Sequence, residues 1–242
     1  MLLAIDIGNT RIKAAVFEQN TRLETFTFPI EEIQKKVDFI VKANQKITDL
    51  VVSSVRNTEN SVFSTIGSHI KIYFINNESH FPFENRYETP DSLGIDRMVL
   101  AAGAVLRFPK QNRLVIDAGT CITYDFVDEE NNYLGGAISP GIRLRYESLH
   151  NYTAKLPLLS VSIPDKTIGS STQGSIHSGV VNGLTNEIDG FIEFYQERFA
   201  NIIIILSGGD AEFLAKRLKN TIFANSNFLL ESLNQTFQYN HK

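Results

Sequence analysis

Three short stretches of this chain hold residues whose types and spacing can do chemistry. The first, Ala4-Ile5-Asp6-Ile7-Gly8-Asn9-Thr10-Arg11-Ile12-Lys13, ends an apolar run on a carboxylate, turns at a glycine and returns to a lysine. An acid at the end of an apolar strand is costly unless a cation or a donor meets it. The turn exposes consecutive backbone N–H groups, and Gly8 lets an anionic phosphate approach them closely. Asp6 can hold Mg2+ directly or through water, Asn9 and Thr10 can donate to phosphate oxygens, and Lys13 adds a mobile positive charge. The second stretch, Val115-Ile116-Asp117-Ala118-Gly119-Thr120, repeats the pattern. The third, Tyr87-Glu88-Thr89-Pro90-Asp91-Ser92-Leu93-Gly94-Ile95-Asp96-Arg97, places Asp96 and Arg97 in the first turn of a helix. There an arginine can fork onto a carboxylate or phosphate, and an aspartate can take a proton from an attacking hydroxyl. Phosphoryl transfer needs little more than such positioning and charge neutralisation.

Each stretch also has a plainer account. The hairpins can be ordinary turns whose acids bond local N–H groups. Asp96 can favour a helix N-terminus while Arg97 pairs with a surface acid. The recurrence of the first pattern in the second weighs towards a ligand. The other phosphate and hydrolase signatures are missing: no G-x-x-x-x-G-K-[ST], no G-x-G-x-x-G, no G-x-S-x-G and no H-E-x-x-H occurs.

These stretches need elements to hold them. Leu2 to Ile7, Ile12 to Phe17 and Thr25 to Phe28 read as consecutive strands, followed by a helix over Glu31 to Asn44 and a buried strand from Leu50 to Ser53. A helix near Glu59 to His69 leads to a strand at Ile70 to Ile75, a long loop over Asn76 to Pro90, and a helix from Ile95 to Leu106. The plan then restarts with strands at Leu114 to Asp117, Ile122 to Val127 and Tyr133 to Ile138. Helices over Pro140 to Tyr152 and Thr172 to Phe199, a strand at Ile202 to Leu206 and a final helix pair complete it. The repeated three-strand opening predicts a duplicated α/β chain, with domains over 1–108 and 109–242 meeting at a cleft. Ser207-Gly208-Gly209 is the candidate nucleoside-facing turn. Phe81, Phe83 and Tyr87 are candidate walls of an acceptor pocket, Phe81 and Phe83 serving equally well to pack the loop on the core. His177 reads as a hydrogen-bonded structural residue.

Composition narrows the class. The 242 residues are 43% apolar and 21% charged, enough for a real core. A net charge of -4, a pI near 5.8 and scattered Lys and Arg give no footprint for nucleic acid. The single cysteine, Cys121, excludes an internal disulfide and a cysteine-rich zinc site, and reads as a small, half-buried filler. No apolar run reaches the length of a membrane span, so the sequence predicts a cytoplasmic protein that binds neither membrane nor nucleic acid.

The double-hairpin plan resembles the superfamily of acetate and sugar kinases, heat-shock chaperone ATPases and actin, whose domains are ribonuclease H-like. More narrowly, Asp6 to Lys13, Tyr87 to Arg97, Asp117 to Thr123, Gly135 to Gly141, Thr153 to Pro157 and Gly169 to Gly179 resemble, in order, the motifs of type III pantothenate kinase. The resemblance implies two duplicated actin-like domains with a cleft between them, and ATP-dependent phosphorylation of pantothenate at its 4′-hydroxyl. It implies that Asp6, Ile7, Gly8, Asn9, Thr10, Arg11, Ile12 and Lys13, with Thr120, bind ATP, and that Asp6 lies near Mg2+. Asp117 would bind the monovalent cation, K+ or NH4+. Tyr87, Gly94, Ile95, Asp96 and Arg97 would form the pantothenate site with Thr172 of the partner subunit in a homodimer, Asp96 acting as general base. Helix 172–199, with Gly179 and Gly183 four apart, would allow close packing at the dimer interface, although small residues at this spacing also occur in ordinary cores. From the residues alone, Asp117 suits K+ and Mg2+ equally. A non-catalytic, Bvg accessory factor-like regulatory protein on the same fold is the rival, and a sugar or acetate kinase a third reading. A degenerate relative is free to lose Asp6, Asp96 or Arg97, and all three are present.

Overall fold

The computed structural model describes residues 1–54, 63, 66–67 and 69–241. It divides into two compact units. The first comprises Met1–Pro109, Asn131–Tyr133 and Asn227–Lys242, and the second Lys110–Glu130 and Leu134–Ser226.

In the first unit, β1 (Leu2–Ile7), β2 (Ile12–Glu18) and β3 (Thr21–Phe28) form an antiparallel meander, and β4 (Asp49–Ser54) and β5 (Lys71–Phe74) extend it in parallel, giving the order β3-β2-β1-β4-β5. Strand β1, central in this sheet, is buried along its whole length and reads as a continuous apolar run broken only by Asp6. Ile33, Val37 and Ile40 of helix α1 (Ile33–Ala43) pack on Leu3, Ile5, Ile7, Leu50 and Val52. Helices α2 (Ile95–Arg107) and α7 (Phe228–Asn240) belong to the same unit, with Gly103 of α2 packed on Ser232 of α7. The sequence reading put the terminal helix with the second half; it lies instead with the first unit, where α2, buried on nearly every side, takes it as a neighbour. A short β6 (Glu84–Asn85) pairs with Asn132 and Tyr133 inside the long loop. The helix expected near Glu59 to His69 lies mostly outside the described residues.

The second unit repeats the order. Strands β7 (Asn112–Ala118), β8 (Cys121–Val127), β9 (Asn132–Pro140), β10 (Ile202–Ser207) and β11 (Phe223–Ala224) run as β9-β8-β7-β10-β11, the order of the first sheet, and β6 adds a sixth strand at the β9 edge. Helix α3 (Ile142–Asn151), α4 (Thr172–His177) and α5 (Gly183–Gln196) pack on Leu114, Ile116, Ala118, Ile122, Tyr124, Phe126, Ile204 and Leu206, with the short α6 (Ala211–Ala215) beside them. The single helix predicted over Thr172 to Phe199 is α4, a π-helical turn over Ser178–Asn182 and α5. Val180, Val181 and Leu184 all reach the core across this irregular turn. No helix among the described residues is long and apolar enough to cross a membrane.

Candidate functional site

Residue alternation decides which face each acid takes. In β1 and β4, Leu3, Ile5, Ile7, Leu50 and Val52 point to the α1 side, so Asp6 and Ser53 point to the other face. They are register partners at the carboxyl ends of adjacent parallel strands, where open α/β sheets bind ligands. Asp6 is 7% exposed, and the fully buried Ser53 Oγ donates to its Oδ1 at 3.0 Å. The second oxygen faces the turn: a methyl group on Gly8 would stand 3.9 Å from Asp6 Oδ2. Gly8 N–H donates to Arg11 O at 3.2 Å, which closes the hairpin over exposed Asn9 and Thr10. Ile7 and Ile12 pair at its base, and the half-buried Lys13 stands opposite Asp6 in the ladder. Ser53 thus orients one carboxylate oxygen, and the other lies towards the glycine turn.

The second hairpin follows the same design. Asp117 lies at the carboxyl end of β7, on the face opposite Leu114, Ile116 and Ala118. A methyl group on Gly119 would again stand 3.9 Å from its Oδ2. Gly119 N–H donates to Cys121 O at 3.0 Å, so this turn is one residue tighter, with Thr120 exposed at its tip. Thr123, not a lysine, pairs with Asp117, and Thr123 Oγ1 donates to the buried Asp125 Oδ2 at 3.0 Å. Cys121 is exposed rather than the half-buried filler expected, because the turn holds it at the strand's open end.

The turn is clamped from behind. Gly141 N–H donates to Thr120 O at 3.0 Å, and Gly141 packs so closely on the Gly119 and Thr120 carbonyls that any side chain there would collide. Gly208, in the left-handed region at φ +97°, packs on Ala118, whose carbonyl accepts Asp210 N–H at 3.0 Å. The Ser207-Gly208-Gly209 turn therefore buttresses the hairpin, while nothing stands within 4 Å of a side chain added at Gly209. Pro140, just before Gly141, is fixed by Arg145, whose Nε donates to its carbonyl at 2.8 Å and whose Nη2 meets Glu187 Oε2 at 2.7 Å. Ser139 Oγ and Tyr124 OH also donate to Glu187, at 2.6 and 3.2 Å. Burial would raise the Glu187 carboxyl, but the Ser139 and Arg145 bonds hold it below the usual range. Burial, and then the Glu187 charge, push the Tyr124 phenol up.

At the acceptor segment, Gly94 caps α2, and Asp96 folds back so that its Oδ1 accepts Arg97 N–H at 2.9 Å. Burial raises the Asp96 carboxyl above the usual carboxylate range, although that N–H and the Arg97 charge pull the other way. A carboxylate held in this way is a better proton acceptor. Ile95 is buried, and the Arg97 guanidinium, in a side chain only 6% exposed, lies 5.6 Å over the Tyr87 ring. Rings run on from Tyr87 to Tyr133 at 6.1 Å, to Phe83 at 5.8 Å and to Phe81 at 5.5 Å. Tyr87, Asp96 and Arg97 therefore lie together, and Phe81 and Phe83 back them through Tyr133. Thr172, exposed, opens α4 in the second unit behind Ser171, whose Oγ accepts Gly174 N–H at 3.1 Å. His177 Nδ1 lies 2.7 Å from Tyr146 OH, a structural bond as read.

Sequence reading missed Ser53, Tyr133 and the Arg145–Glu187 pair. The serine had a signal: it is a polar residue closing a buried apolar strand. The arginine and glutamate stand 42 residues apart on two helices, and no local pattern joins them.

A family model described as type III pantothenate kinase matches residues 2–194. The type III pantothenate kinase of Flavobacterium johnsoniae is 64% identical over 239 residues, covering 99% of this chain and 98% of its own. That of Christiangramia forsetii is 44% identical over 240 residues, covering 99% of each. Among solved structures, a Campylobacter jejuni protein assigned to the Baf family of transcriptional activators superposes with TM-score 0.66 at 22% identity, over 99% of this chain and 98% of that one. A ROK family glucokinase from Streptomyces griseus, in complex with glucose and AMPPNP, gives TM-score 0.52 at 11% identity, over 97% and 98%. At these identities the two structures speak to the fold alone: an α/β chain with two mixed sheets, similar to the actin-like sugar kinases.

Proposed function

The chain belongs to the type III pantothenate kinase family, and on that premise we propose that it transfers the γ-phosphoryl group of ATP to the 4′-hydroxyl of pantothenate, the first step of coenzyme A synthesis. The Asp6 to Lys13 hairpin holds the triphosphate through its turn N–H groups, Asn9, Thr10 and Lys13, and Thr120 contacts it from the other hairpin. Asp6 is the protein's ligand to Mg2+, directly or through water; the donor type fits, since a carboxylate oriented by Ser53 towards the turn is a hard oxygen ligand. The chemistry that metal supplies when bound is neutralisation of charge on the transferring group. Asp117 binds the monovalent cation, K+ or NH4+.

Arg97 forks onto the pantothenate carboxylate, with Tyr87, Gly94 and Ile95 shaping the site and Thr172 of the partner subunit completing it in a homodimer. Asp96 accepts the proton of the attacking hydroxyl, and its raised carboxyl suits that task. Duplication of one domain, the two hairpins sharing a cleft, and a cytoplasmic location complete the proposal. The observation that carries it is the repeated hairpin. On two sheets that share a five-strand order, the second with β6 added at its edge, an aspartate at a strand's carboxyl end presents Oδ2 to a turn glycine.

Incubation of the purified protein with ATP, Mg2+, K+ and pantothenate tests it. Phosphopantothenate is expected to accumulate, and Asp96→Asn is expected to slow its formation by about 10²- to 10⁴-fold. A protein that binds ATP without turnover belongs to the regulatory reading, and an Asp96→Asn variant with full turnover removes Asp96 from the reaction.

A further inference from the structure

Ser207 closes β10 with its side chain fully buried, and its Oγ has no hydrogen-bond partner. A buried hydroxyl left unmade costs free energy, and in a native fold it calls for a water or an ion. Two observations bear on which it is. Ser207 is the register partner of Asp117 on the adjacent parallel strand, and because Ile204 and Leu206 face the core, Ser207 shares the face that Asp117 takes. Adjacent strands lie about 4.8 Å apart, so one small ion can touch both side chains. The equivalent pair in the first unit, Ser53 and Asp6, is directly bonded at 3.0 Å. A serine at this register therefore reaches the carboxylate, yet Ser207 does not close on its own.

We infer that the Ser207 hydroxyl is a ligand of the monovalent cation held at Asp117, an inference that rests on the cation reading proposed above. The chemistry agrees. An alkali ion takes oxygen ligands, and a hydroxyl beside a single carboxylate supplies them. Gly208 packed on Ala118, and the Asp210 N–H bonded to Ala118 O, fix the end of β10, so the hydroxyl cannot withdraw to another partner.

Thermal unfolding of the full chain, with ADP present, is followed in KCl and in choline chloride of equal ionic strength. The unaltered protein is expected to gain stability in KCl alone. Ser207→Ala should unfold no earlier than it in choline, because the orphan hydroxyl is gone, and should need about tenfold more K+ for the same gain. Ser207→Thr, which keeps the oxygen, should follow the original K+ curve. If Ser207→Ala follows that curve too, the hydroxyl meets a buried water and the inference is overturned. If the unaltered protein makes phosphopantothenate but ignores K+, the cation reading and this inference fall together while the kinase reading stands. If it makes none yet shows the Ser207-dependent K+ shift, the inference survives and the reaction is misassigned.

Discussion

The two hairpins share a frame and differ in what surrounds their acids. Both place an aspartate at the carboxyl end of a central strand, with Oδ2 against a turn glycine and a serine at the same register of the parallel neighbour. In the first, the serine donates to the acid, a lysine stands across the ladder, and the turn is one residue longer. In the second, the serine is orphaned, a threonine stands across the ladder, and Gly141, Gly208 and Asp210 hold the turn from behind. A repeated fold supplies two equivalent positions, and a few polar side chains give each different surroundings, which the proposed function matches to different ions. Lysine beside an oriented carboxylate suits phosphate and a divalent cation. A carboxylate with neutral oxygens suits a single positive charge.

The sharpest way to break this comparison is to neutralise each acid in turn. Asp6→Asn should lower phosphoryl transfer about a thousandfold, as expected when a metal's charge stabilisation of several kcal/mol is lost, with little change in K+ dependence. Asp117→Asn should instead flatten the K+ titration and leave the Mg2+ titration in place. Identical Mg2+ and K+ profiles for the two variants would mean the hairpins are interchangeable. Asp96→Asn, outside both hairpins, should lower kcat by 10²- to 10⁴-fold, about the range for a general base. Because burial raises the Asp96 carboxyl, the acid limb of kcat/KM should fall above the pH of an ordinary aspartate. The sign for stability is opposite. A folded-state value above the unfolded one favours the protonated acid, so this group's stabilisation is present in acid and lost as pH rises through the folded value. Asp96→Asn should therefore unfold no earlier than the parent at pH 7, and the two should converge in acid.

Smaller effects test the supports. Gly208→Ala forces a side chain into the left-handed region and against the Ala118 backbone. It should cost about 1–3 kcal/mol for the strained backbone alone and loosen the second hairpin only, read as a lower Tm together with a weakened K+ response. Ser53→Ala leaves Asp6 Oδ1 without its buried donor. About 1.5–3 kcal/mol of stability and about tenfold in Mg2+ affinity should go, with the K+ titration unmoved.

Much of this was legible in the chain. Alternation and apolar runs place the strands to within a few residues, since β1, β4, β7 and β10 are buried on both faces and carry their signal locally. The Asp6 and Asp117 turns stand out because an acid interrupts an apolar strand. What stayed hidden depends on packing between distant segments. The terminal helix joins the first unit because α2 offers it a face, and no property of residues 228–240 announces that partner. The clamps at Gly141 and Gly208 are contacts to carbonyls, which leave no mark on periodicity. Ser207 looked like part of a nucleoside turn because sequence shows a Ser-Gly-Gly triplet, whereas register shows a neighbour of Asp117.

The smallest effect sharpens that last point. Gly208 and Gly209 are adjacent and chemically identical, so a reading based on composition predicts that alanine is equally harmful at both. Only Gly208 has a positive φ and lies against the hairpin; a side chain at Gly209 would meet nothing within 4 Å. Gly209→Ala should therefore change stability by no more than about 0.5 kcal/mol, the range of an unconstrained surface substitution, and leave the K+ titration where it was. A fall in ATP affinity with stability unchanged would restore a ligand-facing role to this glycine alone. A loss of Tm equal to that of Gly208→Ala would mean the turn acts as one unit, and the buttress assigned to Gly208 would have to be shared.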